Sequence, residues 1–195
     1  MNAKKKRPSA RETILQKASE LFYRQGYNAT GIQQIIDEAG ISKGAFYTHF
    51  KTKNDLGLAY LQKRHTDDIN AIKEQLVKFR TPYEKYINFG KMMKEWFKAN
   101  NLRGCAFAHM NAEITDAASP IRKEAKYHYE AFRALIRDIV GDLTQSEKKF
   151  AHLNVERLTD DFMLIMVGAL TNSEIYLDVW PFERATAAVK ALLER

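Results

Sequence analysis

A single cysteine, Cys105, stands in the 195 residues, which excludes an intramolecular disulfide framework and fits a reducing compartment. Glycine and proline are also scarce, at 9 and 4 residues, while hydrophobic residues make up 45%. That balance excludes a disordered or fibrous chain and disfavours a turn-rich β fold, so long helices and an all-α fold are expected. Long apolar runs are missing too. The most apolar stretch, residues 162–170, falls short of the roughly 20 residues that cross a bilayer, and the basic N-terminus leads into an amphipathic helix rather than a secretion signal. A soluble, cytoplasmic protein is expected, with no membrane partner. A Gly-rich phosphate loop, a nucleophile elbow and a metal-ligand cluster are likewise absent from the sequence, so neither an enzyme nor a cofactor is expected.

Charge is present but unevenly placed. Residues 1–63 hold 11 Lys and Arg against 5 Asp and Glu, a net +6, whereas residues 64–195 hold 20 against 19, a net +1. A polyanionic partner is therefore expected for the first third of the chain.

That third contains TGIQQIIDEAGISKGAFYTHF, residues 30–50, which reads as two short helices joined by a tight turn. Thr30 is expected to cap the first by accepting from backbone N–H groups one turn on; Ile32, Ile35, Ile36 and Ala39 then share a face. Gly40 ends that helix in the left-handed conformation, and Ser42 caps a second over residues 43–50. Ala45, Phe46 and Phe50 form its apolar side, leaving Lys43, Gly44, Tyr47, Thr48 and His49 outward. Lys43 can reach a phosphate or a guanine edge, and Gly44 lets the backbone come close to a duplex. Tyr47, Thr48 and His49 offer donors for phosphate oxygens, and the Thr48 methyl suits thymine. The competing reading has Tyr47 and His49 packing against neighbouring helices.

Around this stretch, residues 1–9, with Lys4, Lys5, Lys6 and Arg7, read as a solvated tail or as an arm for DNA phosphates or a minor groove. Ser9 and Glu12 have capping-box spacing and open a helix with Ile14, Leu15, Ala18, Leu21 and Phe22 as its buried stripe. After Phe50, a helix capped by Thr52 or Asn54 runs to about residue 79, with or without a break near residues 65–68. Thr81-Pro82 opens another, Ser119-Pro120 a long one closed by Gly141, and helices over residues 155–179 and from Pro181 follow.

The order of these features resembles the TetR family of bacterial transcriptional regulators. The likeness is strongest over residues 12–61, in YNATGIQQIIDEAGISKGAFYTHFKTKNDL, with SKGAFYTHF its most specific part. Further on it is architectural, although GCAFAHMNAEITDAASPIR is similar to a stretch in some members. Ile36 departs from the small residue that the helix-turn-helix prefers there, which implies slightly wider helix separation. The resemblance implies an all-α chain of about nine helices. A three-helix DNA-binding domain would occupy residues 1–53, with its helix-turn-helix at about 30–50, and a helical ligand-binding and dimerisation domain residues 54–195. It further implies phosphate contacts from Thr30, Tyr47, His49 and Lys53, and base reading by Gln33, Lys43, Gly44 and Thr48. The implied function is a homodimeric, ligand-responsive repressor on a palindromic double-stranded operator. The alternative is a DNA-binding regulator or activator without a small-molecule ligand, controlled by a protein partner.

Two further surfaces are expected. A single DNA module makes few contacts, so two are expected to act together, joined through the last two helices by Phe162, Ile165, Met166, Ala169 and Trp180. The middle helices are rich in aromatic residues and methionine. Trp96, Phe97, Phe107, Met110, Tyr129 and Phe132 are candidates to line an inducer pocket, the region where this family binds inducers, with Glu113 as a polar anchor. His109 and Glu113 share a helical face as pocket anchors or metal ligands, but no third ligand is suitably spaced, and no metal site is expected. Cys105 reads as inert packing or as a redox sensor.

Overall fold

Local chemistry sets where the helices of this computed structural model begin and end. It describes residues 8–194, so the basic arm at Lys4, Lys5, Lys6 and Arg7 lies outside the described residues. Ser9 and Glu12 form the capping box that opens α1 (Ala10–Gln25), the Ser9 amide donating to Glu12 Oε2 at 2.7 Å. α2 (Ile32–Ala39) ends at Gly40, whose φ of 64° lies in the left-handed region that glycine adopts at little cost. Ser42 Oγ accepts from the Ala45 amide at 3.1 Å and opens α3 (Lys43–His49). Thr52, not Asn54, starts α4 (Lys53–Leu76): its hydroxyl accepts from the Asp55 amide and its own amide donates to Asp55, at 3.0 and 2.9 Å. That helix is continuous through residues 65–68. A Thr81–Glu84 capping box with Pro82 in the first turn opens α5 (Pro82–Ala99). Then come α6 (Ala106–Glu113), α7 (Pro120–Ser146), α8 (Val155–Tyr176) and α9 (Trp180–Ala191). The described residues contain nine α-helices and no strand, as the all-α reading expected. None of these helices is long and apolar enough to cross a membrane.

Two expectations about helix ends fail for identifiable reasons. Thr30 does not cap α2. The N-cap is Gly31, without a side-chain bond, and the Thr30 hydroxyl instead donates back to the Gly26 carbonyl at 2.7 Å. Gly141 does not close α7, which runs on to Ser146. Val140 and Leu143 on either side of it are fully buried, and burying each such side chain contributes roughly 1.5–3 kcal/mol, more than the roughly 1 kcal/mol that an interior glycine costs.

The chain forms two compact units, and the division is not a single cut in the sequence. One takes the residues through Thr66 together with Ala106–Lys126; the other takes Asp67–Cys105 and the residues from Tyr127 onward. In the first, Ile14, Ala18, Leu21, Ile35, Phe46, Leu56 and Leu61 are almost wholly buried, and the Phe22 ring packs on Tyr27 and Tyr60 at 5.1 and 5.7 Å.

In the second unit Tyr86, Phe89, Phe97, Phe162 and Phe182 anchor the core, with Phe89 edge-on to Phe162 at 5.5 Å. The buried Tyr86 hydroxyl donates to the Val189 carbonyl at 3.0 Å, and burial pushes that phenol's pKa upward. Gly90 lets α5 pack closely on its neighbours. A Cβ there would lie 2.2 Å from Thr186 Oγ1 and 2.9 Å from the Met166 methyl, and Thr186 is held in place by its bond to the Phe182 carbonyl. Gly90→Ala is therefore expected to destabilise the protein by about 1–3 kcal/mol, despite alanine's better helix propensity. Urea denaturation checks this, and an unchanged midpoint would contradict the packing.

Candidate nucleic-acid interface

The amphipathic pattern of α3 resolves as expected. Phe46 is fully buried and Phe50 almost so, which seats the helix, while Lys43, Gly44, Tyr47, Thr48 and His49 are all exposed. Tyr47 is anchored along one edge, its ring packing edge-on against Phe46 at 5.2 Å with 36% of the residue exposed. The Thr48 hydroxyl donates to the Gly44 carbonyl at 2.9 Å. Gln33 lies exposed on α2, its amide nitrogen donating to Asp37 at 2.8 Å.

Gly44 is the most informative of these. A Cβ at that position would meet nothing closer than Ser42 Oγ, at 3.9 Å, and the backbone is ordinary helix, so the fold has room for a side chain. Glycine nevertheless sits there, although alanine is the better helix former. The glycine leaves the backbone of this exposed turn uncovered by any side chain of its own.

The side chains of two further expected DNA contacts are engaged within the protein. Thr30 is fully buried with its hydroxyl committed to Gly26, so its side chain does not reach the surface. Lys53 is half-buried, its ammonium 4.3 Å from the Tyr27 ring centre and donating to the Asn28 carbonyl at 3.4 Å. Desolvation lowers its pKa, partly offset by the nearby Glu113. A residue not singled out in the sequence, Lys51, is exposed and donates to the Tyr47 carbonyl at 2.9 Å, placing a cation at the C-terminal end of α3. The basic run KTK after the helix was its only signal.

Behind this face, Glu113 holds the corner between α1 and α2. Its carboxylate accepts from the backbone amides of Tyr27 at 3.0 Å and Asn28 at 2.6 Å, and its carbonyl accepts from the Asn28 side chain at 3.1 Å. Gly26 is needed at this approach, because its φ is 97° and a Cβ would lie 3.0 Å from the Glu113 carboxylate. Gly57 of α4 packs as closely, its Cβ position lying 2.9 Å from Tyr27, 3.1 Å from Ile121 and 3.3 Å from Met110. The Tyr27 hydroxyl donates to Asn54, and burial, with Asp55 and Glu113 adding to it, pushes the Tyr27 pKa up to about 12. Glu113 is thus a clamp on backbone amides rather than a free pocket anchor. Among the described residues no group of three or more His, Cys, Asp and Glu is placed to hold a metal ion.

Residues 14–60 match the family model described as bacterial regulatory proteins of the tetR family, and residues 86–189 match the tetracyclin repressor-like C-terminal domain. The chain belongs to the TetR family. It is accordingly a DNA-binding transcriptional regulator, with α2 and α3 as its helix-turn-helix. The repressor DhaR of a Mycobacterium species is 22% identical over 189 residues, 96% of this chain and 94% of that protein. The Escherichia coli repressor NemR is 22% identical over 185 residues, 94% and 93%. The activator FasR of Mycolicibacterium smegmatis is 42% identical, but over only 71 residues, 36% of this chain and 32% of that protein. Among solved structures, a TetR-family regulator from Streptomyces coelicolor superposes with a TM-score of 0.84 at 22% identity, covering 95% of this chain and 94% of that one. Reduced NemR gives 0.80 at 19%, covering 94% and 97%.

The two surfaces expected beyond the DNA module are placed as follows in this TetR-family chain. Of the pocket candidates, Phe107, Met110 and Glu113 belong to the first unit and Trp96, Phe97, Tyr129 and Phe132 to the second. Phe97 and Phe107 are fully buried, Phe97 packing on Phe182 at 5.5 Å, and Phe132 packs on Phe89 at 5.6 Å. Tyr129 donates to Cys105 Sγ at 3.7 Å, and burial drives its pKa upward. A cavity of about 390 Å³ in the second unit is lined by other residues, among them Leu153, Arg157, Leu158 and Leu192. Of the dimer candidates, Phe162, Met166 and Ala169 face the unit's own core and only Trp180 is well exposed, at 45%. The exposed apolar side chains of α8 are different ones, Leu164 and Ile175, at 74% and 70% exposure, with Tyr176 and Leu177 at its C-terminal end.

Proposed function

We propose that this protein is a homodimeric repressor that reads a palindromic operator through α3 and releases it when a small molecule binds the helical region of residues 54–195. Residues 1–53 supply the DNA-binding domain in this reading. The observation that carries it is the exposed turn of α3 where Lys43, Tyr47, Thr48 and His49 surround a glycine that the fold does not require. Lys43, Gly44, Thr48 and Gln33 read base edges, while Tyr47, His49 and Lys51 hold phosphates. The exposed apolar residues Leu164, Ile175, Tyr176, Leu177 and Trp180 support dimerisation through α8 and α9, because such side chains gather where a partner covers them. Ligand release needs only that the ligand prefer a spacing of the two α3 helices that no longer matches the half-sites. The match to a tetracyclin repressor-like C-terminal domain supports that step. Repression is favoured over activation because the relatives named repressors align along nearly the whole chain, whereas the activator FasR aligns over 71 residues.

Fluorescence anisotropy with duplexes flanking the protein's own gene tests the reading. Lys43→Ala and Tyr47→Ala are each expected to weaken binding by about 1–3 kcal/mol per half-site while leaving the helical circular dichroism intact. Affinity should also fall steeply with salt, as phosphate contacts release counterions. Unchanged affinity in both variants would remove α3 from the interface.

A further inference from the structure

We propose that the cavity at the start of α8 is a binding site for a small aliphatic monocarboxylate. Its volume, about 390 Å³, falls within the roughly 300–1,000 Å³ of small-molecule sites, and its lining belongs wholly to the second unit. Leu153 ahead of α8, Leu158 within it and Leu192 in the turn after α9 supply apolar surface. Leu158 and Leu192 are each 5% exposed and belong to the core, and Leu153 packs against it, so the protein's own packing already holds these three in place. The charged lining is less settled. Arg157 is exposed, and no described residue pairs with its guanidinium. The acids of α8 that stand closest to it in sequence are committed to α7: Asp160 accepts from Arg133 at 2.7 Å, and Glu156 accepts from Arg133 at 2.9 Å and from Arg137. Asn154 accepts from the Arg157 amide through its side-chain oxygen at 2.9 Å, which caps α8 and leaves its NH₂ group as a second donor at the cavity. His152 completes the lining.

A guanidinium with a neighbouring amide donor suits a carboxylate, which a guanidinium fork holds through paired bonds, and the leucines suit a hydrocarbon body. Asp161 limits the ligand to one negative charge. It lines the same cavity one helical turn beyond Arg157, where a second carboxylate would meet a like charge. Its charge is also felt in the core, adding to burial in pushing the Tyr86 phenol's pKa upward.

Hexanoate, hexanol, adipate and hexylamine share one chain length and differ in charge, so they separate these contributions when titrated into the full chain with the leucine methyl resonances as the readout. Hexanoate is expected to bind and to shift the methyls of Leu153, Leu158 and Leu192. Hexanol should bind about 10–100-fold more weakly, the loss of a charge-assisted hydrogen bond, and adipate and hexylamine at least about tenfold more weakly than hexanoate. Arg157→Gln removes an exposed charge, so it should keep the urea midpoint while bringing the hexanoate-to-hexanol ratio to about one. Leu153→Ser should weaken both ligands alike and leave that ratio unchanged.

A chain that takes up no hexanoate at millimolar concentration overturns the site. So does hexanoate binding that survives Arg157→Gln undiminished or that shifts methyls elsewhere in the protein, and adipate bound as tightly as hexanoate overturns the ligand class. The inference concerns binding alone and is tested without DNA, so its failure leaves the operator reading standing.

Discussion

Leu164→Asp combined with Ile175→Asp is expected to leave the protein monomeric at micromolar concentration and to weaken operator binding by about 10²–10⁴-fold, the gain that linking two binding modules ordinarily supplies. In a two-fold interface each new carboxylate is presented to the symmetric copy, where like charges meet and are desolvated together. Both residues are at least 70% exposed in the single chain, so their replacement should change the stability of one protomer by no more than about 0.5 kcal/mol. Phe162→Ala makes the contrast. Phe162 is 1% exposed and packs against Tyr86 and Phe89, so that change should cost about 3–5 kcal/mol of stability through a core cavity. Sedimentation and urea denaturation of the two variants separate the outward residues of α8 from the inward ones. A double aspartate variant that stays dimeric would place the interface elsewhere.

Glu113→Ala is expected to loosen the corner ahead of α2. Two backbone amides, Tyr27 and Asn28, lose a charged acceptor at once. Hydrogen bonds to charged groups contribute about 1.5–3 kcal/mol each, and with the site half-buried the joint loss should be about 2–3 kcal/mol in the first unit. Glu113→Gln keeps one acceptor oxygen but turns an NH₂ toward the second amide, a donor facing a donor, so it should fall between wild type and alanine. Native-state hydrogen exchange reads the effect residue by residue. The Tyr27 and Asn28 amides should exchange markedly faster in the alanine variant, and unaltered protection there would show that the carboxylate does not hold them.

The helix-turn-helix and its exposed face were legible in the sequence because every rule behind them is local. The Ser9–Glu12 box, the left-handed Gly40, the Ser42 cap and the split of α3 into Phe46 and Phe50 against Lys43, Tyr47 and Thr48 each depend on residues within about one helical turn. What failed depends on choices that periodicity leaves open. A threonine ahead of a helix can donate backward to a carbonyl as readily as cap forward, and Thr30 does the former. A glycine stops a helix only if burial beyond it does not favour continuing, and Leu143 lies beyond Gly141. α8 has apolar residues on more than one face; a one-dimensional pattern does not say which of them its neighbours cover. Glu113 stood out in the sequence, but its role as a clamp had no readable signal, since the amides it binds lie 86 and 85 residues earlier in the chain.

The first unit's composition bears on how regulators of this kind are recombined. A graft that moved only the residues through Thr66 onto another sensor would carry Gly26 and Gly57 without the groups that make glycine necessary there, Glu113 at the one and Met110 and Ile121 at the other. The transplanted head would keep its recognition helix and lose the brace behind it. A chimera that also imports Ala106–Lys126 transfers both, so the transferable piece for operator swapping is two segments of chain rather than one.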